Sequence, residues 1–245
     1  MILPFSTYLF RKHFNYEKAY NLQKLLVERN LKKIEPTKPI MLLVEHSPVY
    51  TIGRRTHVYN NAEENRLKDV GADFFRADRG GLITFHGPGQ LVAYPIFCLD
   101  EQKYGVKAYV DMLEETIISL LSKNFNIKGS RSPHTGVWVG NNKICAMGIS
   151  VQKHKQKQVV SHGLALNCNT DMKWFSHIVA CGIHGKGVTS LSIEKDENVP
   201  LLNVVDPFVQ SFENVFKWKS ENKIFELDSN LDNLEILDII SKDIS

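Results

Sequence analysis

Short apolar runs bounded by turn residues crowd the stretches between long helical periodicities. That order constrains the fold of this 245-residue chain more than any single motif. Tyr16, Ala19, Tyr20, Leu22, Leu25 and Leu26 recur at helical spacing and predict an amphipathic helix over roughly residues 15 to 31. Residues 106 to 123 predict a long buried helix, with Val110, Leu113, Ile117, Leu120 and Leu121 on one side. A polar helix is expected at about 62 to 70, and another helix from about 203 to 219. Tyr8 to Phe10, Met41 to Glu45, Val49 to Ile52, Leu82 to Phe85, Leu91 to Ile96 and Val159 to Asn167 read as strands. Val137 to Val139 and Ile144 to Val151 flank a Gly140-Asn141-Asn142 turn and predict a β-hairpin.

This is not the strand–helix alternation of a doubly wound sheet. It predicts an α/β (α+β) fold, a mixed β-sheet flanked by helices. No Gly/Ser/Pro tract divides the chain, so a single catalytic domain over residues 1–245 is expected, with its core at about 15–220. The acidic stretch from Asp228 to 245 reads either as a terminal helix or as a loose tail.

A net charge of +3 is too small to argue for nucleic acid, and no apolar run reaches the length of a membrane span. Four cysteines, none in a C-x-x-C pair, argue against a disulfide framework and a structural zinc site. Cys98, Cys145 and Cys168 read as small buried strand residues. A reduced compartment follows. The first acidic residue is Glu17, and Arg11, Lys12 and His13 precede it, a pattern compatible with mitochondrial import that composition alone does not establish.

Four segments point to chemistry. Arg79 to Gln90 holds four glycines and a proline in twelve residues around an apolar run, so backbone must approach something closely at two places. Lys143 follows a tight turn; by periodicity alone it is a solvent-facing hairpin lysine. Gly163 and Ala165 keep one face of a strand shallow, leaving room for a ligand or for tight packing. Cys181 ends an apolar run before Gly182, where a thiol can be a nucleophile, although pattern alone favours simple burial. His86 suits either a polar role in a site or a structural hydrogen bond. The basic tip at Lys153, Lys155 and Lys157, with Arg54 and Arg55, reads by default as a solvated face.

Together RGGLITFHGPGQL, TGVWVGNNKICAMGI, SHGLALN and HIVACGI, in that order and spacing, closely resemble the lipoyl(octanoyl) transferase family. HSPVYTIGRR and GVTSL fit as well, so the resemblance covers about residues 15 to 215. It implies a fold similar to the catalytic domains of lipoate and biotin protein ligases. It also implies transfer of an octanoyl group from octanoyl-acyl carrier protein to a lysine of apo lipoyl-domain proteins, namely 2-oxoacid dehydrogenase E2 subunits and the glycine cleavage H protein. Carried over position by position, the acyl-carrying cysteine is Cys181 and the lysine beside it is Lys143. Arg79, Gly80, Gly81, Leu82, Ile83, Thr84, Phe85 and His86, with Ala146, Met147, Gly148, Gly163, Leu164 and Ala165, match the stretches lining the acyl pocket. The backbone near Cys181 and Gly148 is the expected oxyanion donor.

Thioester-to-amide transfer is downhill, so no cofactor, ATP or metal is expected. The rival is an ATP-dependent lipoate–protein ligase, which shares the fold and the lysine but has no use for Cys181 and needs a nucleotide-phosphate loop not found here. KICAMGI, ALNCNTDMKWF and HIVACGI resemble animal mitochondrial members more than bacterial ones. The mitochondrial matrix is therefore the expected location, with the cytoplasm as the alternative if the chain is bacterial. No nucleic acid and no membrane insertion are expected, and oligomeric state is not readable.

Overall fold

A computed structural model describes residues 3–10, 12–33, 37–54, 60–179, 186–221 and 224–243. The first half of the chain forms β1 (Leu3–Phe10), α1 (Tyr16–Lys32), β2 (Ile40–Val44), β3 (Val49–Ile52), α2 (Asn61–Asp69), β4 (Asp73–Arg76), β5 (Thr84–His86), β6 (Gln90–Cys98) and α3 (Val106–Phe125). The second half forms β7 (Val137–Val139), β8 (Asn142–His154), β9 (Lys157–Asn167), a 3-10 turn (Met172–His177), β10 (Gly187–Val188), α4 (Leu191–Lys195), α5 (Leu202–Phe216), β11 (Trp218–Ser220), β12 (Phe225–Leu227) and α6 (Asn233–Asp243).

Among the described residues the main sheet runs β10-β8-β9-β6-β2-β1-β11, with β12 also on β1 and β7 also on β8. It is mixed: β1 and β2 are parallel, while β2–β6, β6–β9 and β8–β9 are antiparallel. A smaller sheet runs β4-β3-β5.

Strand side chains alternate between faces, and here both faces are covered. Phe5, Leu9, Met41, Leu43 and Phe97 pack with Leu113, Ile117 and Leu120 of α3 and Phe208 and Phe212 of α5. Tyr8, Phe10, Leu42, Val44 and Ile96 share the opposite core with Leu22 and Leu26 of α1 and Ile236 and Ile240 of α6. That is why these strands read as unbroken apolar runs.

Helix ends follow local chemistry. The Asn15 side chain accepts from the Lys18 N–H at 3.0 Å and starts α1. Lys217, at φ 58°, ends α5 at Phe216, so the helix expected to 219 gives way to β11. The stretch after Asp228 takes the helical alternative: α6 buries Ile236 and Ile240, and Ser6 Oγ donates to Asp243 Oδ2 at 2.8 Å. The Tyr8 hydroxyl donates to the same carboxylate.

Ile240→Ala should therefore cost about 2–5 kcal/mol of folding stability in urea denaturation; a cost near zero would show that α6 contributes nothing to the core.

Candidate active site

The Arg79–Gln90 segment folds around one buried cation. Arg79 Nη1 donates to the carbonyls of Gly80 (2.9 Å) and Leu82 (3.1 Å), and Nη2 to the carbonyl (2.8 Å) and hydroxyl (2.6 Å) of Thr51. With those carbonyls taken and Gly81 at φ +89°, residues 80–82 are loop, and the strand expected from Leu82 begins only at Thr84. The loop lies on β8: the Gly80 N–H donates to the Ile149 carbonyl at 3.0 Å. A Cβ on Gly148 would sit 2.9 Å from the Gly80 carbonyl, so only glycine permits this approach.

Between loop and sheet lie two cavities. The inner one, about 40 Å³, is a narrow slot. Small and apolar residues of paired strands line one side: Ala146, Met147 and Gly148 opposite Ala165, Leu164 and Gly163. Arg79, Gly81, Leu82, Thr84 and His86 line the other, with Tyr16, Val92, Tyr94 and His162. The outer cavity, about 410 Å³, is lined by Gly80, Val106 and Val110 of α3, residues 133–135, Lys143 and Ile149. Gly81, Leu82, Met147 and Gly148 line both, so slot and cleft share a wall.

Lys143 belongs to the cleft. Its strand position pairs with both Trp138 and Val188. The side chain is 7% exposed, which excludes the solvent-facing hairpin lysine that periodicity alone suggested. Its ammonium donates to the Thr135 carbonyl at 3.1 Å and sits 4.8 Å from the centre of the Trp138 ring. Gly136, at φ +124°, lets the backbone lie against the lysine stem; a Cβ there would meet the Cys145 carbonyl at 2.6 Å. Lys186 reaches the same indole at 6.0 Å. Cys181 lies outside the described residues. Buried Cys145 and Cys168 are poor nucleophiles: burial pushes the Cys145 thiol far up and the Cys168 thiol up to about 12.

Ile83 and Phe85 correct the expected pocket. Both are fully buried and face the other way, into a core with Tyr50, Ile52, Leu67 and Phe175, because Phe85 alternates with Thr84 and His86 along β5. Tyr16, Tyr94, His162 and Trp138 were missed. Each sits in an element read correctly, but which way its ring points depends on tertiary packing.

Buried histidines surround the slot. Burial holds His46 near about 4 and His162 near about 3, and pushes His86 well below its usual range. The neighbouring Arg79 charge adds to the shift of His86 and His162. Neutral rings have fixed tautomers here. His46 Nδ1–H donates to the Phe14 carbonyl (2.6 Å), so Nε2 accepts from the Tyr94 hydroxyl (2.7 Å). The Gln90 amide N–H groups are used by the Phe85 carbonyl and Asn167, so Gln90 Oε1 accepts from His86 Nδ1–H at 2.8 Å. His162 has φ 57°, and its N–H goes to Gln23 Oε1 (2.8 Å) at the point where β6 carries Pro95 and the β6–β9 pairs lapse. Arg54, part of the basic face, is paired with Asp78, and Lys157 with Glu101.

The lipoyl protein ligase A/B catalytic domain model matches residues 15–213. The chain belongs to this family. It is 52% identical to the mitochondrial octanoyl-[acyl-carrier-protein]:protein N-octanoyltransferase of Danio rerio, covering 82% of this chain and 88% of that one. It is 52% identical to the namesake of Xenopus tropicalis, over 71% of this chain and 70% of that one. Among solved structures it is similar in fold to lipoate-bound LipL1 of P. falciparum, with TM-score 0.70 at 16% identity, covering 96% of this chain and 68% of the other. The mixed sheet flanked by helices is thus the lipoyl ligase fold. Among the described residues no helix is long and apolar enough to cross a membrane.

The burial of these neutral histidines predicts a fold that loses stability in acid. In the unfolded chain each takes a proton below about pH 6.5, whereas His46 and His162 do so in the fold only near about 4 and 3. Stability is full above about 6.5 and falls as pH drops toward 4, by about 1.4 kcal/mol per pH unit for each histidine. Urea unfolding between pH 7.5 and 5 should show that slope; a flat profile would contradict neutral burial.

Proposed function

We propose that the chain is an acyltransferase that moves octanoyl from octanoyl-acyl carrier protein to a lysine of apo lipoyl-domain proteins through a thioester on Cys181. The observation that carries the reading is the division of the site: a narrow apolar slot opens beside a wider cleft in which a buried amine, Lys143, is held in place. A hydrocarbon tail belongs in the slot, and an acyl carbon in the cleft. The octanoyltransferase names of the relatives favour transfer over ATP-dependent ligation. The 2-oxoacid dehydrogenase E2 subunits and the glycine cleavage H protein are the acceptors, and the site of action is the mitochondrial matrix, in keeping with the word mitochondrial in the relatives' names.

Cys181 precedes by a few residues the Gly187–Val188 strand that pairs with Asn142 and Lys143, which supports setting thiol and amine together. A free thiol titrates near roughly 8.5, so few thiolates exist at neutral pH without a basic or cationic neighbour. Lys143 serves as that neighbour. The Cys181 sulfur attacks the donor thioester carbon, the carrier thiol leaves with the displaced proton, and octanoyl–Cys181 remains. The acceptor amine then attacks this carbon, its proton passes by way of Lys143 to the Cys181 sulfur, and Cys181 leaves as the free thiol as the amide forms. Each step closes without nucleotide or metal. The tail occupies the space between Gly81–Leu82 and Gly163–Ala165, where each buried methylene contributes about 0.8 kcal/mol.

Intact-mass spectrometry after incubation with octanoyl–carrier protein should show one octanoyl increment on the wild type. The increment should be absent from Cys181→Ser and form about 100-fold or more slowly in Lys143→Ala, within the range typical of a lost acid–base group. An adduct that survives in Cys181→Ser would overturn the thioester. Octanoylation that requires ATP and free octanoate would restore the ligase.

A further inference from the structure

The cleft holding Lys143 and the slot share only Gly81, Leu82, Met147 and Gly148, so a chain entering from the cleft runs away from Lys143. Tyr16 lines the slot and not the cleft, and its position is set firmly. It is the first residue of α1, fixed by the Asn15 cap. Its ring is 3% exposed, stacked on His86 at 5.6 Å and 11°, and tilted against His46 at 5.1 Å and Phe75 at 5.2 Å. The rings behind it are tied down in turn: Tyr94 to His46, His46 to Phe14, His86 to Gln90. No soft side chain in this group can swing aside as Met147 can.

The end is also chemically wrong for a longer alkyl chain. The buried Tyr16 hydroxyl lies beside Arg79 and Thr51, but neither it nor the buried Arg79 Nε makes a hydrogen bond of ordinary geometry among the described residues. An aliphatic segment driven past the ring would have to part the hydroxyl from Arg79 and Thr51, and it offers neither polar group a hydrogen bond.

We propose that the Tyr16 ring is the end stop of the acyl slot and sets the length of acyl chain that this protein transfers. Tyr16 is thus a specificity-determining residue on the helix opposite the reacting atoms. The inference rests on the proposed acyl transfer and adds to it the residue that measures the chain.

The test compares octanoyl-, decanoyl- and dodecanoyl-carrier protein as donors to wild type, Tyr16→Phe, Tyr16→Leu and Tyr16→Ala. Initial rates of adduct formation are read as ratios between chain lengths, which a general loss of stability leaves unchanged. Tyr16→Leu and Tyr16→Ala should raise the decanoyl-to-octanoyl ratio about tenfold, the discrimination two buried methylenes supply. Tyr16→Phe, which keeps the ring, should hold the wild-type ratio. Wild-type ratios in active Leu and Ala variants would overturn the stop, as would a Phe variant that shifts as far as Ala. Should the smaller variants fail to fold, a wild-type adduct made with an octanoyl group carrying a photoreactive diazirine at its far end decides. Cross-linking to Tyr16 or its ring neighbours supports the stop, and cross-linking elsewhere overturns it. A wild type that accepts no acyl thioester at all would count against the transfer reaction itself, and so is distinguishable from failure of the stop.

Discussion

A guanidinium buried away from any carboxylate must find its hydrogen bonds among neutral acceptors, since an unsatisfied charge in the interior costs several kcal/mol. Arg79 does so with three main-chain carbonyls and a threonine hydroxyl, and those acceptors are drawn from two places that must meet. Thr51 lies on β3 of the small sheet, while Gly80 and Leu82 are the loop that crosses β8 of the large one. The cation therefore fixes the roof of the slot, and through it the distance between the two sheets. Its charge also opposes protonation of His86 and His162, adding to their burial, so both rings stay neutral beside it.

Around that roof the sheet supplies shape more than reactivity. Pairing of β8 with β9 sets Gly148 against Gly163 and Ala146 against Ala165, which keeps one wall shallow over two successive steps. On the far side of β9 the pairing with β6 lapses at Pro95, which has no N–H to donate to a ladder, and within that gap the His162 N–H donates to the Gln23 side chain of α1 rather than to a β6 carbonyl. The irregularity turns a histidine toward the slot without shifting register, since the pairs Ala93–Leu164 and Phe97–Val160 on either side keep step.

The large elements were legible because each carries its own period: α1 and α3 at helical spacing, and the β7–β8 hairpin from its Gly140 turn. Elements such as β4, β11, β12 and α4 were not, because unlike the equally short but buried β2 and β3 they carry no continuous buried apolar run and depend on their partners for stability. The site divides in the same way. Most of the slot-lining glycine and alanine positions came from recognising ordered motifs. Composition gave only a binding loop, and periodicity alone put Lys143 on the surface. Ile83 and Phe85 went astray because a motif is contiguous while a strand shows alternate residues to opposite faces. The aromatic end wall came from four separate stretches of chain, and no local signal connects Tyr16, His46, His86 and Tyr94.

The position of β1 carries a consequence for how the chain assembles. It pairs in parallel with β2 on one side and with β11 and β12 on the other, and Ser6 binds a carboxylate 237 positions away. Contacts of such separation raise contact order and slow folding, since loop-closure entropy is lost before they form. During synthesis the first strand waits with a bare edge until nearly the whole chain has emerged. The slot, closed by α1 and walled by β8 and β9, is built from chain that emerges before the strands that seal the sheet carrying it.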